Sequence, residues 1–334
     1  MKVNIQTNKL QSVLPSINRA ISTKSQLPIL SHFLMEAKGK LVQLSSTDLE
    51  IGMQTTIPAD IEKEGSVAMP AKTFSDLVML LSDDKITIEK KDNTVEVVTA
   101  KTKSSFQTMV KEDFPKLYED KGELLASIPA GELRENIAPI IFSASNDPAR
   151  PALSGVLVKR ESQRTDGGFL LVATDGYRLS LKHYALEKQR IREGKEGASL
   201  IVPARVFREI LSMKNEEGEV SIFISPKNNQ ALFVQGETTL VGRLIGDEYP
   251  NFERIIPTDC ATKVLFEREE MLRAIKMCSV FARETANIVK LELKKDTIFV
   301  SSRTPSLGDN IVEVEAKLVG EENEIAFNVR YLLD

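Results

Sequence analysis

The stretch VAMPAKTFSDLVMLL, from Val67 to Leu81, decides the fold because it recurs as LIVPARVFREILSMK from Leu200 to Lys214. Each copy reads as a strand, a proline break and an amphipathic helix, since apolar residues return at helical spacing after the proline. A shorter match, IAFNVRYLLD, runs from Ile325 to Asp334. Three occurrences in the same chain predict an internal repeat.

Other segments recur in the same order around these three. Helix-like segments come first in each unit: KLQSVLPSINRAIS from Lys9, ELRENIAPIIFSAS from Glu132 and EEMLRAIKMCSVFARE from Glu269. Alternating hairpins follow in the first two units as KITIEKKDNTVEVVTA and EVSIFISPKNNQALFVQG. Pro15 and Pro139 lie inside the first two helix-like segments and predict a kink or a late helix start.

The repeat predicts an α+β protein of three tandem, structurally similar domains, each with two helices and antiparallel sheets. We place the domains at residues 1–122, 123–258 and 259–334, with the third one C-terminally incomplete. In that case Leu332 and Leu333 end a helix with nothing to pack against, and an apolar patch is exposed.

Composition restricts the class of protein. Apolar residues make up 42% of the 334 residues, enough for large cores, and no apolar run is long enough for a membrane span. Two cysteines, Cys260 and Cys278, give no disulfide framework and indicate a cytoplasmic protein. The net charge of −4 argues against a wholly basic surface but allows one basic face.

Motifs for catalysis are missing from the sequence. Neither of the two histidines has a nearby cysteine or second histidine, and neither a phosphate-binding glycine loop nor a nucleophile elbow occurs. We therefore predict no metal, no cofactor and no enzymatic activity. Asp48 and Asp175 occupy matching places in LSSTDLEIGMQ and LVATDGYRLSL, where a hydrolytic carboxylate pair is one interpretation. The preferred interpretation is a turn, because aspartate side chains bond to the backbone of turns.

Basic residues occur at one equivalent position of the repeat. Lys72, Arg205 and Arg330 each lie just inside a predicted helix start, where the helix dipole disfavours cations. Together with backbone amides they suit phosphate binding, and solvated surface cations are the alternative. With cations near the first helices, the predicted DNA-binding residues are Lys24, Lys72, Arg150, Arg205 and Arg330.

Several motifs in this order resemble the β subunit of bacterial DNA polymerase III, the sliding clamp family. The resemblance covers the whole chain through LPIL at Leu27, STDLEI at Ser46, DFP at Asp113, ATDGYRL at Ala173 and FNVRYLLD at Phe327. It implies a head-to-tail homodimeric ring of six domains around double-stranded DNA, without sequence specificity. It also implies partners that bind through short peptides: a polymerase catalytic subunit, the clamp loader and repair proteins.

The resemblance further implies a peptide-binding cleft between the second and third domains. Its predicted lining is Leu153, Thr174, Gly176, Tyr177, Arg178, Leu179, Pro250, Arg254 and Ile255. Tyr177 stands where the family often has histidine, which keeps a stacking surface and removes a titratable group. The alternative is that the segment around Pro250 is an ordinary linker.

The ring interface implied by the family pairs a first-domain edge strand with the third domain's first helix. The matching residues are Ser104, Phe106, Val280 and Phe281. The alternative is that Val280 and Phe281 belong to the core of the third domain. A monomeric peptide-binding adaptor of the same fold is the second hypothesis for the function.

Overall fold

The computed structural model describes residues 1–22, 26–161, 167–187, 190–191, 198–213, 217–284, 286–306 and 308–334. The chain divides into two compact units, Met1–Tyr249 and Pro250–Asp334. The first unit holds the first two copies of the repeat, and the second unit holds the third copy.

The first copy contains two helices and nine strands among the described residues. They are β1 Lys2–Gln6, α1 Thr7–Arg19, β2 His32–Lys38, β3 Leu41–Thr47, β4 Ile51–Pro58, β5 Asp60–Lys63, β6 Gly65–Pro70, α2 Ala71–Leu80, β7 Lys85–Lys91, β8 Thr94–Val98 and β9 Lys103–Gln107. Leu10, Leu14 and Ile17 are fully buried, as their helical spacing predicts. Pro15 lies inside α1, which already begins at Thr7, so a late helix start is excluded.

The second copy repeats this plan. Its elements are β10 Glu123–Pro129, α3 Ala130–Ile141, β11 Gly155–Glu161, β12 Gly168–Thr174, β13 Leu179–Ala185, β14 Ser199–Pro203, α4 Ala204–Ser212, β15 Glu219–Ser225, β16 Gln230–Gln235 and β17 Thr238–Arg243. Both hairpins predicted from alternation are present, as β7–β8 and β15–β16. The two copies therefore confirm an α+β fold with two helices and antiparallel strands in each.

One sheet passes from the first copy into the second. Its strand order is β10-β15-β16-β17-β4-β3-β2-β6, and β17 pairs antiparallel with β4 from Thr238↔Thr55 to Gly242↔Ile51. Two further sheets, β5-β1-β7-β8-β9 and β13-β12-β11-β14, complete the unit. Because backbone pairing and one hydrophobic core join the two copies, they form a single compact unit. The boundaries 1–122, 123–258 and 259–334 stay a prediction.

The third copy forms one five-stranded sheet with two helices. Its elements are β18 Thr262–Phe266, α5 Arg268–Ala282, β19 Ile288–Leu293, β20 Thr297–Thr304, β21 Gly308–Gly320, β22 Asn323–Asn328 and α6 Val329–Leu333, with the sheet order β18-β21-β20-β19-β22. The expectation that Leu332 and Leu333 have nothing to pack against is wrong. Both are partly buried against the core of this unit, because α6 packs on α5. Among the described residues, no helix is both long and apolar enough to cross a membrane.

Candidate functional site

The turn between β12 and β13 is held by side-chain bonds to its own backbone. Asp175 Oδ1 accepts hydrogen bonds from the amides of Tyr177 at 2.9 Å and Arg178 at 3.0 Å. Thr174 Oγ1 donates to the Arg178 carbonyl at 2.6 Å and accepts from the Gly176 amide at 3.1 Å. Gly176 has a φ of 92°, a left-handed value that favours glycine. The turn interpretation of Asp175 is confirmed.

The first-copy turn uses its aspartate in the same way. Asp48 Oδ1 accepts from the amides of Glu50 at 3.1 Å and Ile51 at 3.0 Å. Its other carboxylate oxygen lies 2.5 Å from the Arg205 guanidinium. Since both oxygens are engaged, Asp48 is a poor general base. Among the described residues, no cluster of His, Cys, Asp and Glu could hold a metal ion.

Arg178 is fixed on the turn by three contacts. Its Nε donates to Asp175 Oδ2 at 3.1 Å, and its Nη2 donates to the Phe142 carbonyl at 2.7 Å. The guanidinium also lies 5.1 Å from the centre of the Phe142 ring, a cation–π distance. These contacts hold the guanidinium in one orientation. Sequence reasoning missed Phe142, because nothing in its local pattern distinguishes it from an ordinary residue at the end of a helix.

Apolar surface lies next to this fixed arginine. The Tyr177 side chain is 78% exposed, and Leu179 is half-buried at the start of β13. Leu153 and Thr174 are buried, and Thr174 bonds to the backbone of the turn. An exposed aromatic ring and a neighbouring leucine beside an oriented guanidinium can bind a short peptide with one apolar anchor.

Arg150 lies at the turn, although the sequence pattern grouped it with the DNA-binding cations. Its Nε donates to Asp147 Oδ2 at 3.1 Å, and its Nη1 donates to the Asp175 carbonyl at 3.1 Å. The backbone amide of Ala149 and then Arg150 hold the pKa of Asp147 below its ordinary value. A Cβ at Gly176 would lie 2.9 Å from Arg150 Nη1, so the glycine also leaves room for this arginine. Arg150 is thus a member of the second-copy turn.

The remaining predicted cleft residues belong to the second unit. Pro250, Arg254 and Ile255 are all exposed, and Arg254 ends a short 3-10 helix, Phe252–Arg254. Phe252, the first residue of this short helix, is buried. Tyr249 is the last residue of the first unit, and its hydroxyl donates to the Val172 carbonyl at 3.3 Å. Burial raises the pKa of Tyr249.

The helix-start cations occupy equivalent positions, as the repeat predicts. Lys72, Arg205 and Arg330 are the second residues of α2, α4 and α6. Lys72 and Arg330 are exposed, and neither side chain has an ion-pair partner in the part of the chain that the structure describes. Lys24 lies outside the described residues.

Arg205 differs from the other two because it already forms ion pairs. Its guanidinium bridges Asp48 at 2.5 Å and Glu50 at 3.3 Å, and it donates to the Arg19 carbonyl at 3.3 Å. Arg19 in turn pairs with Glu209 of α4 at 3.1 Å. Arg205 therefore joins the first two copies of the repeat, a role that its position at the helix start does not reveal.

The predicted interface residues divide into buried and exposed ones. The Phe106 ring is buried and packs edge-on against Phe74 at 5.9 Å, so its side chain belongs to the first-copy core. The place of Phe106 at the ring interface stays a prediction. Ser104 shares the inward face of β9, since strand side chains alternate between faces. Val280 is 55% exposed on α5 and is not a core residue, and Phe281 is half-buried.

Three family models of one protein match consecutive parts of this chain. They describe the N-terminal, central and C-terminal domains of the DNA polymerase III beta subunit, and they match residues 1–118, 127–251 and 253–334. The beta sliding clamps of Bacillus subtilis and Haemophilus influenzae are each 28% identical to this chain, and each match covers all of it and 89% of the relative.

Solved structures of clamps have the same fold. The crystal structure of the sliding clamp from Bacillus subtilis superposes with a TM-score of 0.91 at 27% identity, over 100% of this chain and 88% of the other. The Pseudomonas aeruginosa clamp bound to griselimycin has a TM-score of 0.89 at 26% identity, over 100% and 88%.

Proposed function

Since the chain belongs to the DNA polymerase III β-subunit family, the β sliding clamps, we propose that it is a DNA-replication processivity factor. The observation that carries this proposal is the match of all three family domain models in consecutive order. In this function the chain is a non-catalytic subunit that tethers a polymerase catalytic subunit, the clamp loader and repair proteins to double-stranded DNA. The place of action is the cytoplasm.

The proposed assembly is a head-to-tail homodimeric ring that encloses the duplex. Enclosure needs no sequence-specific contact, so weak phosphate contacts allow sliding. A ring loaded on nicked circular DNA should remain bound, and it should leave when the DNA is linearised. Equal retention on both DNA molecules would contradict the ring. A mass of 37.2 kDa at every concentration would instead favour the monomeric adaptor.

The proposed contacts with phosphate are Lys72 and Arg330, the exposed helix-start cations that have no ion-pair partner among the described residues. We expect Lys72→Glu combined with Arg330→Glu to weaken duplex retention, and the slope of log K against log salt should fall by about 0.9 for each phosphate that is no longer neutralised. Arg205→Glu should change this slope less, because Asp48 and Glu50 already partner Arg205. Lys263→Glu, at an exposed position on β18, is the control. An unchanged slope in the double variant would refute the role of these cations.

The second-copy turn is the proposed peptide-binding element. Its ligand is a short segment of a partner protein, with an apolar anchor on Tyr177 and Leu179 and polar groups on Arg178. We propose that Pro250, Arg254 and Ile255 contribute as well. The combined variant Arg178→Ala and Leu179→Ala should bind a polymerase-derived peptide at least about thirtyfold more weakly, as expected for hot-spot residues. If the variant stays dimeric and its affinity for the peptide is unchanged, the second-copy turn has no role in peptide binding.

A further inference from the structure

The first-copy turn, Thr47–Gly52, matches the second-copy turn bond for bond. Thr47 Oγ1 donates to the Ile51 carbonyl at 2.8 Å and accepts from the Leu49 amide at 3.0 Å, as Thr174 does in its own turn. Leu49 has a φ of 78°, so it takes the left-handed position that Gly176 occupies in the second copy. The two turns present the same backbone with different side chains.

A cavity of about 230 Å³ lies beside the first-copy turn, where the first and second copies meet. Its apolar lining is formed by Leu49, Ile51, Leu117 and Val241. The volume is that of roughly eight water molecules at about 30 Å³ each, which is enough to accept an aliphatic side chain. We call this cavity the first-junction cavity.

The leucine that lies over Gly52 comes from a different element than Leu179 of the second-copy turn. Gly52 stands at the position of Leu179, and a Cβ there would lie 2.8 Å from Leu117 Cδ2. The glycine therefore lets Leu117, from the segment after Pro115, cover the turn. Leu117 thus supplies apolar surface next to Gly52, where the second-copy turn has the Leu179 side chain.

An unmet hydrogen-bond acceptor belongs to the lining of the first-junction cavity. The Gln230 amide is oriented by its Nε2, which donates to the Leu117 carbonyl at 2.9 Å. Its Oε1 is buried and has no donor among the described residues. A buried acceptor without a donor is costly to the fold. Because protein atoms cover this oxygen, a ligand in the cavity does not contact it.

Unpaired positive charge borders the first-junction cavity. Lys116 and Arg243 line it and are exposed, and neither side chain has an ion-pair partner among the described residues. The carboxylate in the lining, Glu50, is engaged by Arg205 at 3.3 Å. The net field at the opening therefore favours an anionic ligand.

We propose that the first-junction cavity is a second partner-binding site, which takes a short extended acidic peptide through a leucine side chain. The leucine packs against Leu49 and Leu117, and acidic side chains pair with Lys116 and Arg243. This site is separate from the second-copy turn, and its existence does not depend on that turn binding a ligand.

The test uses the full chain carrying Arg178→Ala and Leu179→Ala, so that the second-copy turn is disabled. The probe is a fluorescent acetyl-Asp-Leu-Asp-Leu-amide peptide, and the comparison probe is acetyl-Lys-Leu-Lys-Leu-amide. We expect saturable binding of the acidic peptide, about tenfold tighter than that of the basic peptide. Adding Lys116→Glu and Arg243→Glu should weaken acidic-peptide binding by about tenfold, the scale of two surface ion pairs.

Lys101→Glu with Arg303→Glu is the matched control, since both residues are exposed and lie outside the cavity lining. This control should leave the affinity unchanged. The absence of saturable binding at millimolar peptide, equal affinity for both peptides, or an equally weakened affinity in the control would overturn the proposal. Peptide binding at the second-copy turn tests the proposed function. Its outcome is independent of peptide binding at the first-junction cavity.

Discussion

Gly176 shows how a single residue fixes the geometry of the second-copy turn. Its φ of 92° costs an L-amino acid about 1–2 kcal/mol, so Gly176→Ala should lower the free energy of unfolding by about 1 kcal/mol. The new Cβ would also displace the Arg150 guanidinium. Gly131→Ala in α3 is the matched control, because a Cβ there meets nothing within 4 Å, and it should stabilise by about 0.5–1 kcal/mol. Urea unfolding of both variants measures the difference, and equal shifts would contradict this role of Gly176.

His32 gives a residue-scale prediction about pH. Burial lowers the pKa of His32 below its ordinary value of 6.5, although the Pro28 carbonyl opposes this shift. The unfolded chain therefore binds more protons than the folded chain as the pH falls through about 6.5, and stability decreases in that direction. We expect His32→Gln to flatten the pH dependence of the unfolding midpoint between about pH 5.5 and 7. A slope that persists unchanged in the variant would show that other groups cause it.

At the scale of elements, the bridge from Arg205 on α4 to Asp48 couples a helix to a turn in the preceding copy. Asp48→Asn keeps the Oδ1 acceptor for the turn and removes only the charge, so it tests this ion pair by itself. A double-mutant cycle with Arg205→Leu should give a coupling free energy of about 1 kcal/mol, reduced by salt. Chemical unfolding of the four proteins measures it. Additive effects would mean that the pair contributes nothing to the junction.

At the scale of the whole molecule, substitutions at Val280 and Phe106 distinguish an effect on dimer assembly from an effect on stability. Val280 is exposed on α5, so Val280→Asp should leave stability nearly unchanged and convert a dimer to a 37.2 kDa monomer in sedimentation equilibrium. Phe106→Ala should instead cost about 3–5 kcal/mol of stability, since it removes a buried ring from the core. If Val280→Asp stays dimeric at low micromolar concentration, the proposed ring interface on α5 is wrong.

The sequence by itself determined the features that depend on neighbours along the chain. The burial of Leu10, Leu14 and Ile17 follows from 3.6-residue periodicity, and the bonds of Asp48 and Asp175 reach only two or three residues ahead. The repeat placed Lys72, Arg205 and Arg330 at equivalent helix positions for the same reason. These are local properties, and the same local pattern recurs in each copy of the repeat.

Tertiary structure alone decided which of these groups remain available to a ligand. Arg205 is neutralised by Asp48, and Arg150 lies against the backbone of Asp175. The Phe106 ring is covered by Phe74. Each contact joins residues far apart in sequence. The Arg205 contact exists because β4 pairs with β17 and brings two copies of the repeat together. Periodicity specifies which face of an element is buried, but the partner across that face is set by sheet pairing, which acts over the whole unit.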